Sequence, residues 1–195
     1  MKNIDIEYEK KFLKDLIASL KYLKKNDGVK MEQVGRLSTA ISQELKCESD
    51  ELFFAGYYAN IGLLMLESIT SKQAYLTNKR EMELLHHHVY YSAEFVQKRG
   101  FIRSAEIIKN HHEKPNGMGY FAIPNKDKDA AIINIADEFV GLSSHNQLRP
   151  PIVREMAIKY ALEEYQRSSI FTYDEVDIIQ KTLTSYYDKI SSIGT

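Results

Sequence analysis

Apolar residues recur at three- and four-residue intervals along most of the chain, and these stripes predict an all-α protein. Residues 8–25 carry Phe12, Leu16, Leu20 and Leu23 on one face with lysines opposite. Asn26-Asp27-Gly28 follows, and Gly28 is expected to cap that helix. Residues 29–45 repeat the pattern through Val34, Leu37, Ile41 and Leu45. Ser49 or Asp50 is expected to cap a third helix over 51–67. Phe53, Phe54, Tyr57, Tyr58, Ile61, Leu63 and Leu64 make that segment apolar on nearly all sides, the pattern of a buried central helix. Residues 68–79 are polar and read as a connection. Helices over 81–100, stopped by Gly100, and over 102–112 come next, and 114–128 is the one long loop. Helices over 129–144, 152–167 and 173–190 complete the chain, with Asp174 and Asp177 near a capping-box spacing at the last.

Composition sharpens this in four places. Only 4 prolines and 9 glycines in 195 residues leave little material for a turn-rich β architecture. A net charge of −1 gives no basic footprint, so a nucleic-acid polymer is not an expected partner. The single Cys47 excludes an intramolecular disulfide and suits a reducing compartment. Residues 1–10 are charged and no apolar run reaches membrane-spanning length, so neither a signal peptide nor a membrane is expected, and the expected location is cytoplasmic. The expected organisation is an N-terminal amphipathic helix, 1–28, packing on or extending one domain, 29–195.

The chemistry-bearing residues concentrate at 107–121. His111 and His112 end an apolar helical run, Glu113 follows, and Pro115, Asn116, Gly117 and Gly119 break the helix into a tight loop. Adjacent residues on a regular helix diverge by about 100°, so both imidazoles reach one ion only if the helix ends there. His88 shares the apolar face of its helix with Leu84, Leu85, Ser92 and Phe95, whereas His86 and His87 are expected at the rim and His145 in a polar loop. On the residues alone, a metal site at His88, His111 and His112 and a set of hydrogen-bonded core histidines stand close together.

The run from His111 to Tyr120, His-His-Glu-x-x-x-Gly-x-Gly-Tyr, resembles the signature of HD-GYP domains, metal-dependent phosphodiesterases that open cyclic di-GMP. Phe121 stands where that family has Pro. Upstream, His88 followed by Ser92-Ala93-Glu94 is similar to the family segment that opens with a ligand His. Downstream, Ile135-Ala136-Asp137-Glu138-Phe139-Val140-Gly141-Leu142 resembles Val-Ala-Asp-x-x-Asp-Ala-Leu, and Arg149-Pro150 resembles the Arg-Pro that follows. The resemblance covers roughly residue 29 to the C-terminus. It implies a single HD-type bundle of about seven to eight helices, with His88, His111, His112 and Asp137 as surviving metal ligands.

The same register exposes losses. The family's His-Asp-Ile-Gly-Lys becomes Ala59-Asn60-Ile61-Gly62-Leu63, the second Asp of the later motif becomes Val140, and the early His falls at about Lys30. Two dications about 3.5–4 Å apart need an anionic bridge. In the family the doublet Asp is that bridge, and Asn60 carries no charge. Lys30, if it points inward, opposes a metal outright. The apolar Ala59, Leu63 and Val140 suggest that the old site is partly filled as core. The sequence therefore permits one divalent metal (iron, manganese or zinc) on the three histidines, or none.

The loop of Asn116, Gly117, Gly119 and Tyr120, with Arg149, is the expected ligand or partner surface. Its glycines either present backbone amides to a phosphate or simply make the turn. The leading expectation is a catalytically inactive signalling domain that binds a protein, such as a diguanylate-cyclase domain, or cyclic di-GMP. The alternative is a phosphohydrolase with one metal and Asp137 or Glu113 as general base. The third is a structural protein that dimerises through the N-terminal helix.

Overall fold

The periodicity resolves into nine α-helices and one 3-10 segment among the residues that this computed structural model describes, 4–23, 25–66, 79–144 and 150–193. The helices are α1 (Ile6–Leu23), α2 (Lys25–Glu44), α3 (Asp50–Tyr58), then the 3-10 segment (Ile61–Leu66), α4 (Lys79–His86), α5 (His88–Lys98), α6 (Ile102–Asn110), α7 (Lys128–Ser143), α8 (Arg154–Gln166) and α9 (Tyr173–Ile193). No strand occurs among the described residues. The all-α bundle of about seven to eight helices is therefore as expected, two of the predicted helices being divided. His145 and Arg149, and residues 68–78 of the expected connection, lie outside the described residues.

One apolar core runs through the bundle. It joins Leu13, Ile17 and Leu20 of α1, Val34, Leu37 and Ile41 of α2, Phe54 and Tyr58 of α3, Ile107 and Ile108 of α6, and Ile179 and Leu183 of α9. The α1 stripe is rotated one residue from the expected one: Leu13, Ile17 and Leu20 are buried, Phe12 and Leu16 are half-buried, and Leu23 is 74% exposed. Gly28 does not cap α1. It sits in the first turn of α2, where a Cβ would lie 2.6 Å from the Lys21 nitrogen and 2.9 Å from the Leu20 carbonyl carbon, so its hydrogen lets the two helices cross closely. On the other side of α1, the Arg99 guanidinium holds Glu9 at 2.6 and 2.8 Å and lies 3.9 Å over the Phe12 ring.

Helix α7, rather than the third helix, is the central one, with every residue from Ala130 to Asp137 buried. Asp127 caps it, accepting from the Asp129 and Ala130 amides. The third helix keeps its Ser49 cap but stops at Tyr58 instead of running to 67. Its continuation is the 3-10 segment, held against α5 where Gly62 N–H donates to Ser92 Oγ at 2.8 Å. The break falls at Ala59-Asn60. The predicted 81–100 helix is likewise divided at His87, which redirects the chain so that α5 begins at His88. At α9 the cap is Thr172 with Glu175, each amide donating to the other's side chain at 3.0 and 3.2 Å; Asp177 instead pairs with Lys181.

Candidate metal centre

Three histidines from two helix ends converge. His88 opens α5, and His111 and His112 follow the last turn of α6. The helix does end there: α6 stops at Asn110, His111 N–H reaches back to Ile108 O, and Glu113 N–H to Asn110 O at 2.9 Å. The tightened end turns the adjacent rings to 4.0 Å between centroids at 43°. One ligand atom from each of His88, His111 and His112 lies within 4.8 Å of the other two. Tetrahedral zinc with Zn–N of about 2.1 Å needs nitrogens about 3.4 Å apart, a modest side-chain closure.

The hydrogen bonds fix the tautomers. His88 Nδ1 donates to Leu85 O at 2.9 Å and His111 Nδ1 to Ile108 O at 2.7 Å, since a carbonyl only accepts. Their Nε2 atoms are then lone-pair acceptors, both fully buried and without a hydrogen-bond partner among the described residues. An orphaned, buried imidazole nitrogen oriented by a backbone carbonyl behind it is the arrangement of a metal ligand. Burial drives the rings to the neutral form that a metal requires. It lowers His88 to about 3, helped by His111, it lowers His111 against the pull of Asp137, and it lowers His112 well below the usual range, helped by His111 and His88. The donor set thus fits one divalent ion.

The neighbouring position is different. Asp137 projects from α7 with Oδ2 3.8 Å from His112 Nε2. Its Oδ1 accepts from Asn60 Nδ2 at 2.5 Å and faces Lys30 Nζ at 3.1 Å. Burial raises the Asp137 carboxyl, but the Lys30 ammonium, the His111 ring and the hydrogen bonds from Asn60 and Lys30 outweigh it and hold the group below the usual carboxylate range. Lys30 does point inward, and it is paired: an ammonium and an amide take the oxygen that a second cation would need. Around it, Ala59 and Val140 are buried in the core, whereas Leu63 remains half-exposed and does not fill the site.

The loop after the triad is built on Glu113. Its buried carboxylate accepts from Phe121 N–H at 2.9 Å and from Ile123 N–H at 3.0 Å, one amide per oxygen. Glu113 therefore clamps the loop, a role different from the general base that the sequence suggested for it. Gly119 passes so close that a Cβ would meet Glu113 Cα and His112 O at 2.5 Å. Asn116 ties the loop to α8 through Glu164 and accepts from Met118 N–H at 2.9 Å. Gly117, at φ +74°, makes the turn, its amide donating to Lys114 O at 3.0 Å. The amides of Gly117 and Met118 are thus satisfied within the loop.

Tyr120 stacks on His112 at 4.1 Å and 22°, and His86 stacks on the other face of Tyr120 at 3.8 Å and 10°. Sequence reasoning placed His86 at the rim and missed this column; the histidine pair ahead of His88 was the one available signal. Beside it opens a cleft of about 370 Å³ lined by Lys30, His112, Lys114, Tyr120, Asn134 and Asp137, among others.

A family model described as HD domain matches residues 11–175. The match begins inside α1 rather than at residue 29, in keeping with the packing of that helix in the common core. No curated protein matches the sequence. No helix among the described residues is long and apolar enough to cross a membrane.

Proposed function

The chain belongs to the HD domain family, a metal-dependent phosphohydrolase-like superfamily, and from that premise we propose that it is an HD-GYP-like domain with at most one metal that acts by binding rather than by two-metal hydrolysis. The observation that carries this reading is the contact of Lys30 Nζ with Asp137 Oδ1 at 3.1 Å, closed by the Asn60 amide at 2.5 Å. Two-metal hydrolysis clamps the attacking and leaving oxygens between two cations held by anionic ligands. Here the one carboxylate beside the triad already has a cation, and that cation is covalently tethered. The ligand classes that suit the reading are a protein, with a diguanylate-cyclase domain the first to try, and cyclic di-GMP, met at the cleft and at the loop 116–120. A cytoplasmic setting and a second copy of the chain as partner belong to the same proposal.

A second reading has its own observation. The unpartnered Nε2 atoms of His88 and His111 suit a single metal, which when bound would supply an activated water. Asp137, whose Oδ2 lies 3.8 Å from His112 Nε2, is the candidate for proton transfer in this reading. One experiment separates the two. Protein purified without chelator is assayed for metal content, for binding of labelled cyclic di-GMP and of a diguanylate-cyclase domain, and for hydrolysis of cyclic di-GMP with iron, manganese and zinc, beside His111→Ala. About one metal per chain, binding to either ligand and no turnover supports the first reading. Metal-dependent turnover that His111→Ala abolishes overturns it in favour of the second. Absence of binding to both ligands overturns it as well.

A further inference from the structure

We propose that Tyr120 is the positioning residue of the histidine triad: stacked between His86 and His112 and anchored through Glu113, it holds the His112 ring in place and walls off that side of the site. The inference rests on the reading that the triad takes a metal. It goes beyond that reading in assigning what keeps the metal there.

Three observations converge. First, the three histidines are not equally braced. His88 and His111 are each fixed by a carbonyl behind Nδ1, at 2.9 and 2.7 Å. Among the described residues His112 has no corresponding carbonyl contact, and its Nε2 lies 3.8 Å from Asp137 Oδ2, beyond hydrogen-bonding range. What fixes its ring is the face of Tyr120 at 4.1 Å, together with the ring of His111 at 4.0 Å. An outer-shell partner that is a stacked ring does the orienting that a hydrogen bond does for the other two.

Second, Tyr120 is itself held from two sides. His86, from the end of α4, lies parallel at 3.8 Å on the face away from His112. Glu113 grips the amides of Phe121 and Ile123, just after Tyr120, and it is joined in sequence to His112. The clamp and the ligand are thus consecutive residues, so the Tyr120 backbone cannot leave His112 without breaking a charge-assisted hydrogen bond.

Third, the column covers one side of the triad. His88 and His111 are buried, and the His112 side chain is 14% exposed, while Met118 at the loop tip is 77% exposed. Tyr120 also meets His88 edge-on at 6.1 Å, so one ring borders two of the three ligands. On the opposite side stand Asp137, Lys30 and Asn60. On the Tyr120 side, exchange of a metal requires the loop to lift; the cleft lined by Lys30, His112 and Asp137 is the other approach.

The test uses the whole chain loaded with Zn²⁺, and follows release to an excess of a chromogenic chelator. Tyr120→Ala is expected to release zinc about tenfold faster or more, the scale on which loss of an outer-shell partner weakens a metal site. His86→Ala is expected to shift the rate in the same direction by less. Tyr120→Phe keeps the ring and is expected to stay close to the parent rate. In parallel, metal-free protein is treated with diethylpyrocarbonate and His112 labelling is read by mass spectrometry; Tyr120→Ala is expected to speed it and Tyr120→Phe is not. Equal release and equal His112 labelling in the parent and Tyr120→Ala would overturn the assignment, as would a Tyr120→Phe variant as fast as Tyr120→Ala. If the parent takes up neither zinc nor, in the same assay, iron or manganese, the one-metal reading fails while the labelling arm still decides the role of Tyr120. If Tyr120→Ala does not fold by circular dichroism, His86→Ala, which leaves the core untouched, carries both readouts.

Discussion

Replacing Lys30 by Met removes the ammonium 3.1 Å from a buried carboxylate and keeps the aliphatic stem. At an effective dielectric of about 20, the attraction across that distance is about 5 kcal/mol. That is a ceiling. The Lys30 side chain is 37% exposed and Asp137 only 8%, so water screens one partner, and the pair falls between two regimes. Exposed pairs contribute about 0.2–1 kcal/mol; breaking a buried pair costs about 3–5. A loss of about 2 kcal/mol follows for Lys30→Met, which for a domain of this size lowers Tm by about 4–8 °C. A double-mutant cycle with Asp137→Asn, read by urea denaturation, should assign about 1–2 kcal/mol of this to the pair itself. Most of that coupling should survive 0.5 M salt because the carboxylate is buried. Lys30→Met also leaves Asp137 Oδ1 with the Asn60 amide alone and no cation, so Mn²⁺ should stabilise the variant more than the parent. A coupling below about 0.5 kcal/mol, with the same response to Mn²⁺ in both proteins, would show that the ammonium does not occupy the second-cation position in solution.

Metal-free protein should lose stability on acidification: His88 titrates at about 3 when folded against about 6.5 unfolded, so its contribution is complete above pH 6.5 and declines as pH falls toward 3. That group alone removes about 2 kcal/mol between pH 7 and pH 5, with His111 and His112 acting in the same direction, and a urea midpoint that holds or rises over this range would contradict it. Glu113→Gln leaves one carbonyl oxygen where two carboxylate oxygens held Phe121 and Ile123; about 1.5–3 kcal/mol is lost, and hydrogen exchange at those two amides should accelerate ahead of the rest of the loop. Gly28→Ala should destabilise by about 1–3 kcal/mol despite the better helix propensity of alanine, because its Cβ meets backbone atoms of α1 that have no rotamer with which to yield; equal urea midpoints would refute the close crossing.

Periodicity located the helices well and their faces less well. Spacing is a property of one segment, whereas the buried face is set by what lies across from it. The α1 stripe through Phe12, Leu16, Leu20 and Leu23 has the right period, and Leu20 is buried, but Leu13 and Ile17, one residue over, fill the rest of the covered face. The interruption at Ala59-Asn60 was invisible for the same reason: both residues are compatible with a helix, and what ends α3 is the anchoring of Gly62 on Ser92, a residue of another helix. His87 likewise gives no local stop signal. The triad was legible in part, since the Pro-Gly loop dictates that α6 ends at the histidines, and that ending brings both rings to His88. The role of Glu113 was not, because a carboxylate after two histidines reads as chemistry until the loop amides it accepts from are known.

Asn60 and Lys30 beside Asp137 gain their meaning from each other. A carboxylate in place of Asn60 would set a second anion against Asp137 at hydrogen-bonding distance, an arrangement that demands cations. An amide there demands none: it donates to the same oxygen and leaves a single negative charge. Lys30 then neutralises that charge from α2 with no ion taken from solution. Neither change alone is balanced. With Asn60 but without the ammonium, Asp137 is a buried anion holding one hydrogen bond and some help from neighbouring imidazoles; with Lys30 but an acid at position 60, one charge faces two. Together they make a neutral, internally satisfied group beside a triad whose two inner nitrogens are left unpaired. The two halves of the centre therefore differ in kind. One is closed by the chain itself, and the other leaves two buried imidazole nitrogens open, which is why metal content and the Lys30–Asp137 coupling report on separate halves of the same site.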